Sequence, residues 1–410
     1  MICDKQTNQY QIWNESRKGL CICNANHLCI YSKNCFLFET YQQIKESYYI
    51  EHILYQYLIK HNKKYWIDQQ IHAHQTNTSI YIIRPFNIMI EDRILCSHIS
   101  LCKKKIIITS IYYQYNPWKH ECFHFIVKSC KIVDQKIYEN HHFESSLMII
   151  LYLDHDLPSI DLIIEYVHLE KTYTYKLMIE QFPMIEHTLS AMTLCKDDFY
   201  LLPRYIDYYI QFGVNLFCIY YNGILTDNII QYIKDENKYP VPIYLIEWNY
   251  AYWWKYQDNT KQHHAQTMAI NDSLHILKNY GKYTLYNDLD EYIVFDIGKT
   301  FQEYSKPFPY IDIFIYKNQF CTMGTELISY CNFHKQFDLS VIIKGNYWNS
   351  KREKNIIRLN SFDVFGVHGF FPLFHLIPIQ EKVSGTFYHI VNFVEKNRIH
   401  YMTEWIIDKL

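Results

Sequence analysis

The alternation of apolar and polar positions divides the chain into three stretches. Up to about residue 95, short apolar runs mix with polar ones, and the clearest element is a helix over 41–60. From 96 to 185 the period is two. Segments 105–113, 122–133, 146–153, 161–169 and 172–179 are rich in Ile, Val and Tyr and are broken by Asn, Asp and Pro turns. Strands that follow one another without helices predict an antiparallel, sandwich-like arrangement. From 186 to 410 strands and helices alternate. Strands are predicted over 190–195, 215–221, 242–248 and 283–287, and helices over 199–212, 227–234 and 262–280. In the first of these helices Leu202, Tyr205, Ile206 and Tyr209 share one face. Gly213 and Gly281 stand where helix C-terminal glycines belong. Such a rhythm implies an α/β domain with a mainly parallel sheet, whose ligand binds beyond the carboxyl ends of the strands. The expected division is a region of unassigned role at 1–95, a β-rich domain at 96–185 and an α/β domain at 186–410.

Composition narrows the function. The 410 residues are 49% hydrophobic and 20% charged, enough for two or three packed domains. A net charge of −2, from 40 basic and 42 acidic residues, provides no long-range field for nucleic acid or anionic lipid. An anion must therefore be held by a local site. The 13 cysteines are scattered, several within apolar runs such as Cys195 and Cys218, which suits free thiols in a reducing compartment. The opening MICDKQTNQYQIWNESRKG has no apolar signal core, and no run of 18 uncharged apolar residues occurs. A cytoplasmic chain without a membrane span is expected. Neither a phosphate-binding P-loop nor a G-x-G-x-x-G dinucleotide motif is present, which argues against those two enzyme classes. Cys21, Cys23, Cys29 and Cys35 with His27 lack the paired C-x-x-C spacing of a zinc site. Trp253-Trp254 could stack on sugar faces or belong to a core, and the adjacent His263-His264 cannot face one point together.

The sharpest chemical signal is Asn287-Asp288-Leu289-Asp290-Glu291-Tyr292, three carboxylates in four residues directly after an apolar strand. Asp288 and Asp290, two apart, can point the same way. Like charges this close repel unless a cation or donor groups compensate. Mg²⁺ or Mn²⁺ suits such hard oxygen ligands, with substrate phosphates completing the shell. A metal that clamps a diphosphate stabilises it as a leaving group, which transfer from a nucleotide sugar requires. The alternative reading of this D-x-D motif is an acidic turn after a strand.

Residues from about 190 to 395 resemble glycosyltransferase family 92. The resemblance rests on Thr193-Leu194-Cys195-Lys196-Asp197-Asp198 followed by Tyr200-Leu201-Leu202, then Tyr220-Tyr221-Asn222 with Thr226-Asp227-Asn228. Gln266, Ala269, Asn271 and Asp272 are similar to the family's helix before its acidic strand. Asp288-Leu289-Asp290-Glu291-Tyr292-Ile293 is similar to its Asp-x-Asp-Glu-Phe-Ile. Later come Lys354, Ile357 and Arg358, Val367-His368-Gly369 and Phe387-Tyr388-His389. Asp198 replaces the family's usual Glu, and Cys321-Thr322-Met323-Gly324-Thr325-Glu326 departs from its Gly/Ser-rich loop.

The resemblance implies a GT-A fold preceded by a β-rich accessory domain, with Asp290 as metal ligand and Asp288 on the ribose or the metal. It points to His368 as a third ligand, the alternative being a satisfied loop histidine. Lys196 and Asp198 would face the nucleotide, Lys196 otherwise being a solvated strand-end charge. Arg358 would fork onto the diphosphate, or else be a surface arginine. Inversion at the anomeric carbon needs a base, for which Glu326 is the first candidate and Glu291 and Asp338 are alternatives. The expected activity is a metal-dependent, inverting hexosyltransferase of glycan biosynthesis using Mn²⁺ (or Mg²⁺). It would move a sugar, galactose by the resemblance, from a UDP-sugar to a glycan or glycoprotein acceptor. The competing expectations are a retaining or phosphate-transferring enzyme with the same cluster, and an inactive glycan-binding or structural protein that keeps the GT-A fold.

Overall fold

The computed structural model describes residues 2–4, 9–14, 19–24, 74–75, 80–84, 88–90, 93–96, 98–111, 122–140, 146–168, 170–236, 241–250, 252, 254–255, 261–262, 264–296, 298–347, 352–369 and 378–396. The helix expected over 41–60 lies outside them, as do Trp253, His263 and the His27, Cys29 and Cys35 group. The chain divides into two compact units, 1–67 with 250–262, and 68–249 with 263–410. In the first, Ile2–Asp4, Gln9–Asn14 and Gly19–Asn24 form an antiparallel three-stranded sheet, with Cys21 and Cys23 on its last strand. Trp254–Lys255 pairs with Lys261–Gln262 in the same unit.

The second unit holds everything the chemistry needs. Its strands include β1 (Ile80–Ile83), followed by an antiparallel region of β2 (His98–Cys102), β3 (Lys105–Ile111), β4 (Phe123–Val127), β5 (Ile132–Asn140), β6 (Ser146–Leu153), β7 (Ser159–His168) and β8 (Lys171–Glu180). These form two sheets, β5-β6-β3-β2 and β4-β7-β8. The central strand β6 buries Leu147, Met148, Ile149, Ile150 and Leu151 in succession, which is why it reads as a continuous apolar run. The single strand expected over 122–133 is two, β4 and β5, in different sheets. The break is the bend at 128–130, which contains no Gly or Pro.

From residue 187 the predicted alternation appears: β9 (His187–Cys195), α1 (Leu202–Phe212), β10 (Leu216–Tyr221), α2 (Asp227–Glu236), β11 (Ile243–Glu247), α3 (His264–Leu277) and β12 (Gly281–Tyr286). Strands β12-β9-β10-β11-β1 lie side by side, all parallel. Strand β1, from the N-terminal region, thus extends the α/β sheet. Gly213 closes α1 in the left-handed conformation, φ 102°, with its N–H on the Tyr209 and Ile210 carbonyls. Gly281 does something else: it opens β12 where a Cβ would come within 2.0 Å of His187 Nε2. Close approach to β9, not helix termination, is what demands glycine there.

The remaining elements are β13 (Glu291–Ile293), α4 (Phe301–Ser305), β14 (Ile313–Met323), α5 (Tyr330–Gln336), β15 (Ile342–Tyr347), β16 (Lys354–Arg358) and β17 (Glu381–Ile390). They continue the sheet past β12 in the order β16-β14-β17-β13, with β15 on β14. β16 is antiparallel to both β12 and β14, and β17 runs parallel to β14 and antiparallel to β13. The sheet is therefore mixed rather than mainly parallel. The strands after β12 are not separated by long crossover helices, and antiparallel neighbours need none. Strand order reverses at β9, with β10 on one side and β12 on the other, and ligands of such sheets bind beyond the carboxyl ends of the strands at that point.

Candidate active site

The acidic segment lies in the turn between β12 and β13, and helix α1 fixes its backbone. Tyr205, Tyr208 and Tyr209 share one face at helical spacing. Tyr209 Oη donates to the Glu291 carbonyl (2.8 Å) and accepts from Asn287 Nδ2 (2.8 Å) and from the Ile293 N–H (3.1 Å). Tyr208 Oη donates to the Ile293 carbonyl at 2.5 Å, and Tyr205 Oη to Asn287 Oδ1 at 2.5 Å. The face that periodicity predicts as core is also a clamp on the turn. All three rings are buried, so each hydroxyl must find a partner, and the turn supplies one.

Charged groups from five segments meet at this turn. Lys354, at the start of β16, places its ammonium 3.2 Å from Asp288 Oδ2 and 3.0 Å from Glu291 Oε2. Gln266 Nε2, from α3, donates to Asp288 Oδ1 at 3.1 Å, and Glu291 Oε2 accepts the Asp288 N–H at 2.8 Å. Lys396, in the turn after β17, bridges Asp290 Oδ2 at 2.9 Å and Asp198 Oδ2 at 3.1 Å. His389 stands opposite Glu291 in the β17–β13 register, and its ring nitrogens lie 3.7 Å from Asp290 and from Glu291. Four carboxylates thus face two ammonium groups. Burial pushes the Glu291 carboxyl up to about 7, against the pull of Lys354. Burial also acts to raise Asp288, but Lys354, with Lys396 and His389, holds it below its ordinary value. Burial alone would lower the Lys354 ammonium; Asp288 and Glu291 raise it instead.

The residues expected from sequence are distributed as follows. Asp198, Asp288, Asp290 and Glu291 come together. Lys196 follows β9, its N–H on Asp198 Oδ1 at 2.9 Å. Glu326 is exposed on the loop after β14, its carbonyl accepting from Asn392 Nδ2 at 2.6 Å. Asp338 caps a short 3-10 turn through the Ser340 N–H. His368 is exposed, its Nδ1 3.3 Å from the Glu353 carbonyl, on a loop that Asn271 ties to α3 through both polar groups of Phe365. Arg358 lies elsewhere on β16. It pairs in register with Tyr283, far from the end of β12 that leads to Asp288, and is held by Asp312 and the Ile311 carbonyl. Four residues of extended strand, about 13 Å, separate it from Lys354. Lys354, not Arg358, is the cation that β16 delivers to the acidic turn. Asp272, in the helix flagged by the resemblance, is fully buried, accepting from Tyr220 Oη (2.7 Å) and Thr109 Oγ1 (3.0 Å) and lying 2.8 Å from His98 Nδ1. It joins α3 to β2, β3 and β10 and is structural. Lys396 carried no signal in the sequence; Lys354 and His389 lay in flagged segments without a role.

Among the described residues, no group of three or more His, Cys, Asp or Glu side chains is gathered as a metal cage. Mg²⁺ and Mn²⁺ are hard cations that prefer oxygen ligands. Such ions commonly take one or two carboxylates and complete their shell with water and substrate phosphates. Asp288 and Asp290 offer hard oxygens within a cluster in which carboxylates outnumber ammonium groups.

Solved structures that show some likeness to the chain include HddC and Ktr4p. HddC from Yersinia pseudotuberculosis is 14% identical, with a TM-score of 0.30 over 52% of this chain and 96% of that one. The mannosyltransferase Ktr4p from S. cerevisiae is 9% identical, with a TM-score of 0.27 over 44% and 58%. No curated protein matches the chain. The assignment rests on the sequence match to one family, whose model spans residues 189–404 and so takes in every strand, helix and charged group of the site. The chain belongs to glycosyltransferase family 92.

Proposed function

We propose that the chain transfers a hexose, galactose by family resemblance, from a UDP-sugar to a glycan acceptor with inversion, using a GT-A type site at β9 and β12. The supporting observation is the convergence of Asp198, Asp288 and Asp290 where strand order reverses. Asp288 and Asp290 would hold Mn²⁺ or Mg²⁺, with His368 as the remaining candidate ligand. Bound there, such an ion neutralises charge developing on the departing diphosphate. Lys196 and Asp198, at the end of β9, would meet the nucleotide. In the reaction the acceptor oxygen attacks the anomeric carbon and the bond from that carbon to the diphosphate breaks. The hydroxyl proton passes to a base. Glu326 is assigned that role because it is an exposed carboxylate on the loop after β14. Glu291 is buried between Lys354 and His389 and instead supports the turn.

Incubation with a panel of UDP- and GDP-sugars, with and without Mn²⁺, tests this reading. Turnover of a UDP-sugar that requires Mn²⁺ is expected. Glycan binding without turnover of any donor would favour the inactive, glycan-binding alternative.

A further inference from the structure

Two lysines serve the acidic turn, and they are held differently. Lys354 is only 4% exposed and wedged between Asp288 and Glu291. Lys396 has a side chain 23% exposed, on a turn at the end of the described chain, while its partner Asp290 is 1% exposed. The base of that turn is anchored. Asn392 exchanges hydrogen bonds with Met323, and Glu395 Oε1 accepts the Tyr330 N–H. The ammonium thus sits on a part-exposed side chain, whereas the Asp290 carboxylate is buried. The ammonium also takes the Oδ2 oxygen of Asp290 and ties it to Asp198, from the end of the neighbouring strand.

Resting on the function proposed above, we infer that Lys396 is a resident cation that holds the divalent ion's place at Asp290 until a nucleoside diphosphate arrives. A divalent ion alone must approach an oxygen already claimed by an ammonium, and like charges at such distances repel. A diphosphate bound with the ion offers Lys396 a new anionic partner, so the ammonium moves from carboxylate to phosphate as the ion takes Asp290. Metal and donor then bind cooperatively, and by linkage each raises the other's affinity by the same factor. Lys396 is in this sense a positioning residue that discourages loading of the metal without donor.

The test measures Mn²⁺ binding to the full chain by the electron paramagnetic resonance signal of free Mn²⁺, with and without UDP. Wild type is expected to bind Mn²⁺ weakly alone and more tightly with UDP. Lys396→Met should bind Mn²⁺ alone about tenfold more tightly and lose most of the coupling to UDP, a change typical of one coupling interaction. Lys396→Arg should keep the coupling. In wild type, reductive methylation read by mass spectrometry should find the reactivity of Lys396 changed by Mn²⁺ and UDP together but not by Mn²⁺ alone. This second readout does not depend on any variant folding. Wild type that binds Mn²⁺ and UDP with a coupling indifferent to Lys396→Met, or a Lys396 reactivity blind to both ligands, overturns this inference alone. Failure of wild type and variants alike to bind UDP with Mn²⁺ overturns the underlying functional reading as well.

Discussion

Lys354 and Glu291 meet 3.0 Å apart in the interior of the site, with side chains only 4% and 2% exposed. Lys354 also neutralises Asp288, so it holds two carboxylates of the acidic turn together. Removing one member of a buried ion pair leaves the other charge uncompensated, at a cost of about 3–5 kcal/mol. Lys354→Met is therefore expected to lower unfolding free energy by that order. The double variant Lys354→Met, Glu291→Gln should recover part of the loss. Denaturant unfolding of wild type, Lys354→Met and the double variant measures both. A single variant as stable as wild type would contradict the placement of the pair.

Tyr209 makes three hydrogen bonds to the turn through one hydroxyl. Tyr209→Phe keeps the ring packing and leaves buried polar groups of the turn short of partners, costing about 1–3 kcal/mol. Donor turnover should fall while the far-ultraviolet circular dichroism stays unchanged. Turnover equal to wild type would show that the clamp does not matter to the site.

His275 anchors the 362–365 segment, with Nε2 2.8 Å from the Asp363 carbonyl. Burial, with Lys278 nearby, pushes its imidazole down from the ordinary 6.5 to about 4. The fold favours the neutral ring, whereas the unfolded chain takes up a proton near 6.5. The contribution is thus complete above pH 6.5 and is lost as pH falls towards 4, by about 3 kcal/mol in all. Asp363 adds sensitivity at still lower pH; burial acts to raise it, but Lys278 and Lys136 hold it below the usual carboxylate range. Urea midpoints at pH 7 and pH 4.5 should differ less in His275→Gln than in wild type. An equal difference in the two proteins would exclude His275 as the source.

Where the chain repeats strand and helix, its pattern is legible. Tyr205 and Tyr209 announce one face of α1, and Gly213 its end, because each signal is local. The antiparallel half of the sheet was not legible, since β14, β16 and β17 pair across segments that have no common period. The same limit applies to the site. Asp288, Asp290 and Glu291 are adjacent in sequence and declare themselves. Lys354, His389 and Lys396 arrive from other strands and turns, and only the sheet order β12-β16-β14-β17-β13 brings them to the same point. Arg358 declares itself as a phosphate ligand because a guanidinium forks onto phosphate; that Lys354, four positions earlier on the strand, is the cation at the acidic turn shows only in the fold.

The account stands or falls on whether Asp290 couples a divalent ion to a nucleotide. Calorimetric titration of UDP into the wild-type chain, with and without Mn²⁺, and into Asp290→Asn asks this directly. UDP should bind wild type with Mn²⁺ present, bind at least about tenfold more weakly without it, and lose the Mn²⁺ effect in Asp290→Asn. UDP binding of equal strength in all three titrations would contradict it.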